Sequence, residues 1–280
     1  QVKQGRDYMR KKFLLIISIV VLFALPLSGC KQNKKQNVYQ AVKTSKTINW
    51  GVKADTPLFG SINIKTGKLN GFEIDLANAL THEMLGKNVK ANFITTTANT
   101  KIQLLKNTNV DAVIAAMTIT PERKKQVEFS HPYFPAGQSI MVADSSAIKN
   151  AKNLNNKKVL VVKGTTAADA IHQVAPKAEI LQFDDYGQAF AALKAGQGDA
   201  FVTDNGILAG ILRDSSGYKL VGGTFTNQPY GIAVNKGQND MLKHINTALA
   251  KLEKNGTYNH LVKKWFGNIP GMNIKELEKK

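Results

Sequence analysis

The chain has 280 residues, enough for one large domain or two modest ones. Hydrophobic residues make up 43% and charged residues 21%, an ordinary globular composition that excludes a low-complexity or disordered protein. The formal net charge of +18 is compatible with nucleic-acid binding, with a solvated surface near an anionic envelope, or with an anionic ligand. The lysines are scattered and no aromatic residues lie between them, which argues against nucleic-acid binding.

The N-terminal residues carry an export signal. A basic cluster at residues 10–12 precedes an apolar run over residues 13–25, and a Leu-Ser-Gly-Cys sequence ends at Cys30. A basic region, a short apolar run and small residues before a cleavage point are typical of a signal peptide. The apolar run is shorter than the roughly 20 residues that span a bilayer. We therefore expect a signal peptide over residues 1–29, with Met9 as the true start.

Cys30 is the only cysteine in the chain, so it cannot form an internal disulfide. The Leu-Ser-Gly-Cys sequence resembles a bacterial lipobox. That resemblance implies cleavage before Cys30, lipidation of its sulfur, and attachment to the outer face of the cytoplasmic membrane. A buried free thiol and an uncleaved anchor helix are the alternatives. The polar residues that follow, rich in Lys, Asn and Gln, complete a predicted lipidated and flexible tether over residues 30–45.

Short apolar strands alternate with amphipathic helices in the rest of the chain. The predicted strands cover residues 48–52, 89–94, 111–116, 159–162, 180–183 and 200–202. The predicted helices cover residues 74–85, 100–106, 186–195, 205–213, 241–254 and 257–265. This alternation is typical of α/β proteins with largely parallel sheets, and the pattern restarts after residue 145, which predicts two sheets.

Two extended stretches, at residues 138–144 and 228–234, are predicted to be hinge crossings between two lobes. They divide the chain into a first lobe over residues 46–137, a second lobe over residues 145–227, and C-terminal helices over residues 235–280 that return to the first lobe. Open α/β sheets bind ligands beyond the carboxyl ends of their strands. Two such lobes facing each other therefore predict a ligand cleft between them.

The sequence lacks the motifs of common enzymes and metal sites. Its five histidines do not share metal-ligand spacing with one another or with the cysteine. It contains neither a Gly-x-Ser-x-Gly elbow nor a phosphate-binding Gly-x-x-x-x-Gly-Lys loop. We therefore expect a binding protein without a cofactor or metal, rather than an enzyme.

Three strand ends carry polar residues that suit the two charges of an α-amino acid. The first strand end is followed by Thr118 and by a Thr-Pro-Glu-Arg helix start that ends at Arg123. The backbone N–H groups of a helix start and a guanidinium can together bind a carboxylate. A second helix start, at Thr165 and Thr166, adds hydroxyl and amide donors. Asp204 follows a third apolar strand and suits an ammonium group. A surface helix start and a simple helix cap are the ordinary alternatives for the first and third sites.

The sequence resembles the polar amino-acid branch of the bacterial periplasmic-type solute-binding proteins over about residues 46–268. The resemblance depends on GFEIDLANAL at residues 71–80, on MTITPER at residues 117–123 with FSHPYF behind it, and on the later GTT and VTD sequences. Thr81 departs from the small apolar residue expected after the first motif. The resemblance implies an α/β, two-lobe class II fold, in which each lobe is a mainly parallel sheet flanked by helices and the ligand cleft lies between the lobes.

The resemblance also implies roles for individual residues. Arg123 corresponds to the arginine that binds the ligand α-carboxylate, and Thr118 to a hydroxyl and backbone contact with the same zwitterion. Ala116 corresponds to a position whose backbone carbonyl meets the α-amine. The Thr165-Thr166 pair corresponds to the second lobe's grip on the carboxylate, and Asp204 to the acid that pairs with the α-amine.

Two lysines are predicted at the end of the site that receives the ligand side chain. Lys53 stands where histidine and glutamine binders carry Asp, Lys101 where several acidic-amino-acid binders carry Arg, and Ala98 where glutamine binders carry an aromatic residue. Two cations favour glutamate or aspartate by Coulomb's law, but a lysine lacks the bidentate fork of arginine, so glutamine is the next candidate. Tyr186 and Tyr230 fit pocket lining or core packing equally well.

We therefore predict a monomeric, lipid-anchored substrate-binding protein that captures a polar amino acid at the cell surface and delivers it to an ABC permease. The alternatives are an enzyme on the same fold, such as an amino-acid dehydratase, and a surface adhesin. An enzyme needs a general acid or base in the cleft, and none is left once Arg123 and Asp204 hold the zwitterion. Adhesion through the basic surface is compatible with transport.

Overall fold

The computed structural model describes residues 37–279, so the predicted signal peptide, the start at Met9 and the lipidation of Cys30 lie outside the described residues. The strands are β1 Thr47–Val52, β2 Asp55–Thr56, β3 Gly60–Ile62, β4 Leu69–Asn70, β5 Lys90–Thr95, β6 Ala112–Ile114, β7 Val127–Phe129, β8 Gln138–Ala143, β9 Lys158–Val162, β10 Glu179–Phe183, β11 Ala200–Asp204, β12 Tyr218–Val221 and β13 Ala233–Asn235. The helices are α1 Val38–Ser45, α2 Phe72–Leu85, α3 Lys101–Lys106, α4 Pro121–Gln126, α5 Ala167–Val174, α6 Tyr186–Lys194, α7 Asn205–Arg213, α8 Asn239–Lys254, α9 Thr257–Phe266 and α10 Ile274–Leu277.

Two five-stranded sheets form the two lobes. The first sheet has the order β5-β1-β6-β13-β7, with β1 parallel to both neighbours and β13 antiparallel to both of its neighbours. The second has the order β10-β9-β11-β8-β12, with β9 parallel and β8 antiparallel to both neighbours. In each sheet the antiparallel strand is the one that has just arrived from the other lobe. The predicted two-lobe α/β class II fold is confirmed.

The central strands are apolar because both of their faces are covered. Every residue of β6 is buried, and so is every residue of β11. Helices α2, α8 and α9 pack against one another in the first lobe. Thr81, the departure from the expected apolar residue, is fully buried there and has a specific partner. Its hydroxyl accepts the indole N–H of Trp50 at 2.9 Å and donates to the Ala77 carbonyl at 2.7 Å.

The crossings between the lobes differ from the prediction. Residues 138–144 were expected to cross, but residues 138–143 form β8, which lies inside the second sheet. Residues 228–234 were also expected to cross, and the last two of them belong to β13 of the first sheet. An extended crossing and a buried strand share the same apolar pattern, so periodicity alone cannot separate them.

The chain passes between the lobes at residues 134–137, the first crossing, and returns at residues 225–230, the second crossing. The two run antiparallel and are hydrogen-bonded to each other. The Gln228 N–H donates to the Ala136 carbonyl at 2.7 Å. Residue 230 also forms isolated bridges with residues 118 and 134. The lobes are therefore joined by a paired, two-stranded connection.

Helix α1 replaces the last part of the predicted flexible tether, which is wrong for residues 38–45. Asn37 caps the helix, and Val42 is buried three residues after Tyr39. The Tyr39 ring stacks on His244 of α8 with centroids 3.7 Å apart. Two buried side chains at helical spacing, with hydrogen bonds from Asn37 to Asp240 and from the Val38 N–H to Gln238, hold a segment whose polar composition predicted solvation. Among residues 37–279, no helix has both the length and the apolar character required to cross a bilayer.

Candidate functional site between the lobes

The two lobes touch each other across the cleft. Arg123 of the first lobe donates from Nη2 to the Gly164 carbonyl of the second lobe at 2.9 Å. Gly164 has a φ of +74°, and a Cβ at this residue would lie 2.6 Å from the Asn99 Cα, so the approach requires glycine. Lys53 Nζ lies 5.1 Å from the ring centroid of Tyr186 in α6. These contacts describe a closed arrangement of the lobes.

Arg123 is positioned by the start of α4. Thr120 caps the helix, with its Oγ1 accepting the Arg123 N–H at 3.1 Å, and Pro121 occupies the first turn. Nη1 of Arg123 donates to the Thr118 carbonyl at 2.9 Å. Burial lowers the pKa of Arg123, but an arginine remains charged at physiological pH. A half-buried cation aimed at the cleft favours an anionic ligand group there.

Asp204 closes the second-lobe side of the site at the end of β11. It is the N-cap residue of α7, but its side chain makes no capping hydrogen bond. Instead, Oδ1 accepts from Gln138 Nε2 at 2.6 Å and Oδ2 accepts from the Tyr230 hydroxyl at 2.7 Å. Burial raises the pKa of Asp204 to about 6, although Tyr230, Lys101 and Arg123 act in the opposite direction. The carboxylate is therefore oriented, desolvated and stabilised by an added cation.

Lys101 lies near the loop that follows β6. It is buried at the start of α3, and its Nζ donates to the carbonyls of Ala115 at 2.9 Å and Ala116 at 3.1 Å. Burial, together with Arg123 and Lys53, lowers the pKa of Lys101 well below its usual value. The Ala116 carbonyl, expected to meet the ligand amine, thus accepts from Lys101 in this closed structure.

Lys53 is buried but its charge is compensated within the first lobe. Its Nζ lies 2.9 Å from Asp55 Oδ1. This ion pair weakens the positive charge that Lys53 can offer to a ligand side chain. Lys101 is the lysine that shares electrostatic contact with both Arg123 and Asp204.

The threonines of the site have different partners. Thr166 Oγ1 donates to Gln228 Oε1 on the second crossing at 2.6 Å. Thr165 Oγ1 donates to the Val162 carbonyl of its own strand end at 2.7 Å. Thr118 is buried and offers its carbonyl to Arg123. Of the two predicted second-lobe hydroxyls, that of Thr166 donates to a residue of the second crossing, whereas that of Thr165 donates within its own lobe.

Sequence reasoning missed Glu73 and Gln138. Glu73 lies in the GFEIDLANAL motif, and its Oε1 accepts the Ala116 N–H at 2.7 Å and the hydroxyl of Tyr133. Burial raises the pKa of Glu73. Ala116 has a φ of +43°, so the acid holds this loop in a conformation that alanine rarely adopts. A lone acid among apolar neighbours, as in Phe72-Glu73-Ile74, was the available signal.

Cavities lie at the site and away from it. One of about 510 Å³ lies between α4 and α5, beside Thr166 and Gln228. A larger one of about 620 Å³ lies on the first lobe beside Phe129 and contains none of the predicted site residues. Cavity volume alone therefore does not select the candidate site. Within residues 37–279, no group of three or more His, Cys, Asp or Glu side chains has the arrangement of a metal site.

The chain matches known proteins over nearly all of its length. Residues 48–268 match the family model of the bacterial extracellular solute-binding proteins, family 3. The chain is 44% identical to the ABC transporter glutamine-binding protein GlnH of Bacillus subtilis (strain 168), over 94% of this chain and 99% of that protein. It is 39% identical to the glutamine-binding protein of Geobacillus stearothermophilus, over 86% of this chain and 98% of that protein.

A solved structure shares both the fold and much of the sequence. It is an ancestral arginine-binding protein bound to glutamine, with a TM-score of 0.75 and 42% identity. The alignment covers 80% of this chain and 99% of that one. With the two-lobe topology, the family match and these relatives together, the chain belongs to the bacterial extracellular solute-binding proteins, family 3.

Proposed function

We propose that this chain is the substrate-binding component of an ABC importer and that it binds glutamine outside the cell. The observation that supports the proposal is a first-lobe guanidinium, Arg123, close to a buried second-lobe carboxylate, Asp204. They lie within electrostatic range of each other, yet no direct ion pair joins them among the described residues. The α-carboxylate and α-ammonium of one amino acid neutralise both, since opposite charges desolvated together need close partners.

A ligand held this way favours the closed lobes. The α-carboxylate contacts the first-lobe wall and the α-ammonium contacts the second-lobe wall, so both contacts exist only after closure. A ligand shifts an equilibrium only by its differential affinity for the two states. The contact between Arg123 and Gly164 shows how directly the first-lobe guanidinium adjoins the second lobe. The closed, loaded form is the one that the permease would accept.

The choice of glutamine reverses the ranking expected from two cations at the side-chain end of the site. Because Asp55 compensates Lys53, a ligand side-chain carboxylate would gain mainly the attraction of Lys101, against its own desolvation. An amide brings a donor and an acceptor without a net charge, and the GlnH relative is named as glutamine-binding. Glutamate and aspartate are the competitors in every binding test.

The remaining parts of the proposal concern where the protein works and what it does not do. Lipidation at Cys30 would hold a monomer at the outer face of the membrane, close to its permease. Binding without conversion is expected, because Arg123 and Asp204 are both occupied by the ligand. Incubation with glutamine followed by analysis for new products separates binding from a dehydratase-like activity.

A thermal-shift screen of the twenty amino acids tests the proposed ligand. Ligand stabilises the folded protein by RT ln(1 + [L]/Kd), so glutamine is expected to give the largest shift. A larger shift with glutamate or aspartate would restore the ranking from the sequence and contradict the choice of glutamine. No shift with any of the twenty would contradict amino-acid capture itself.

A further inference from the structure

Gln138 is a buried polar residue at the point where the chain enters the second lobe. It begins β8, directly after the first crossing, and is fully buried. Its backbone carbonyl accepts the Phe225 N–H at 2.9 Å, and its backbone N–H donates to Thr226 Oγ1 at 2.7 Å. The main chain of Gln138 is therefore fixed to the second crossing.

The side-chain amide of Gln138 connects three polar groups. Its Nε2 lies 2.6 Å from Asp204 Oδ1, 3.0 Å from Gln228 Oε1 and 3.2 Å from Thr166 Oγ1. All three atoms are oxygens, which fixes the orientation of the amide, because the reverse orientation would place Oε1 against the Asp204 carboxylate. One group thus joins the acid of the site, the second helix start and the second crossing.

The other atom of this amide has no partner. Gln138 Oε1 is buried and accepts no hydrogen bond from residues 37–279. An unpaired buried carbonyl destabilises a fold, and an apolar side chain of similar shape would avoid that penalty. The contacts with Asp204 and Thr166 therefore explain a glutamine at this position better than the stability of the second lobe does.

We propose that Gln138 is a positioning residue that couples ligand capture to lobe closure. It orients the Asp204 carboxylate towards the ligand ammonium group. It also ties that carboxylate to both crossings, whose backbone must rearrange when the lobes open and close. The inference rests on the proposed function, because the cation that Asp204 would hold is the α-ammonium of the bound amino acid.

The first test replaces Gln138 with methionine, which keeps the length of the side chain and removes both amide atoms. Ser139→Ala is the matched control. Ser139 is the next buried residue of β8, lies on the opposite face of the sheet, and donates from its hydroxyl to the Gly223 carbonyl at 3.1 Å. We expect Gln138→Met to weaken L-glutamine binding by about 10- to 100-fold, and Ser139→Ala to change it by less than about twofold. Calorimetry on the full chain measures both.

A pH profile separates positioning from a purely structural role. Asp204 is faced by Gln138 and Tyr230 through hydrogen bonds and by Lys101 and Arg123 through charge. The Gln138 N–H favours the ionised carboxylate, so its removal raises the pH below which glutamine affinity falls, by about one unit. Gln138→Glu keeps the shape and adds a second carboxyl group beside Asp204, so it shifts that pH further upward and provides a second, isosteric variant.

The outcomes are distinguishable. Weaker binding by both Gln138 variants, with the shifted pH profile and an unchanged Ser139→Ala, is the expected result. Wild-type affinity and an unshifted profile in folded Gln138→Met would overturn the role of Gln138 and leave the proposed function intact. Failure of the wild-type protein to bind any of the twenty amino acids would overturn both.

Discussion

The two walls of the cleft hold opposite charges in different ways. The first-lobe wall carries Lys53, Lys101 and Arg123, whose cations are compensated by backbone carbonyls or, for Lys53, by Asp55. The second-lobe wall carries the acid Asp204, held by an amide and a phenol. Arg123 keeps its charge at any physiological pH, whereas Asp204 titrates near pH 6. Arg123 is therefore a fixed cation, and the raised pKa of Asp204 makes the proposed capture sensitive to pH.

Removal of either charged partner should have the largest effect. Arg123→Ala or Asp204→Ala leaves a ligand charge unpaired in a poorly hydrated cleft, which costs about 2–5 kcal/mol. We expect glutamine affinity to fall by about 30-fold to several thousand-fold in calorimetry on the folded variants. The control is Arg213→Ala, at an exposed arginine paired with Asp214, and it should bind normally. Near-normal binding by Arg123→Ala would place the carboxylate site elsewhere.

The acidic wall also predicts a loss of affinity at low pH. An α-ammonium pairs with ionised Asp204, so affinity should be full above about pH 7 and should fall as the pH drops through about 6, by up to about tenfold per unit. Arg123 does not titrate there, so it does not contribute to the profile. Calorimetry between pH 5 and pH 8 measures it, and a flat profile would contradict the pairing.

The raised pKa of Asp204 also makes the stability of the ligand-free protein depend on pH. Asp204 has a pKa of about 6 in the folded protein and a usual value of 3.8, so the folded state binds the proton more tightly. Its contribution to stability is therefore fully present below about pH 4 and is lost as the pH rises through about 6. Denaturant titrations of wild type and Asp204→Asn should show this difference in slope. Parallel pH dependences would show that Asp204 ionises normally.

Lys101→Met tests whether Lys101, on the first-lobe wall, contributes to selectivity for the ligand side chain. Glutamate affinity should fall by about tenfold or more, because its carboxylate loses the nearest cation, and glutamine affinity should fall less. Competition between the two ligands measures the difference. Lys106→Met, at the exposed end of the same helix, is the control. Equal losses for both ligands would mean that Lys101 serves only to hold the Ala115 and Ala116 carbonyls.

The smallest expected effect separates the two threonines of the second wall. Thr166 is joined to the second crossing through Gln228, whereas the Thr165 hydroxyl donates to the Val162 carbonyl and accepts the Ala167 N–H within its own segment. Thr166→Ala should weaken glutamine binding by about three- to tenfold, the value of about one hydrogen bond. Thr165→Ala should stay within about twofold. Calorimetry decides between them, and the reverse order would reassign the second-wall contact to Thr165.

Local patterns were enough to predict most elements of the fold. The helix over residues 205–213 has the predicted bounds, and the predicted strand over residues 180–183 lengthens by one residue. Thr118 and Arg123 meet because they lie five residues apart around one capped helix start. Such features depend on apolar periodicity and on capping chemistry, which are properties of short segments.

Contacts between distant segments could not be predicted in this way. Glu73 accepts a hydrogen bond from a residue 43 positions away, and Gln138 donates to an acid 66 positions away. No local sequence pattern predicts that Glu73 contacts Ala116 or that Gln138 contacts Asp204. The ion pair between Lys53 and Asp55 joins residues only two positions apart, and such a pair is within reach of sequence reasoning.

The most direct test of zwitterion capture changes the ligand and leaves the protein intact. L-glutamine and glutaramic acid, which is glutamine without its α-amino group, are titrated into the wild-type chain at pH 7.5. If Arg123 holds the carboxylate and Asp204 holds the ammonium, glutamine binds and glutaramic acid binds at least about 30-fold more weakly. Equal affinity for the two compounds would contradict the account, because the acid of the second wall would then have no part in binding.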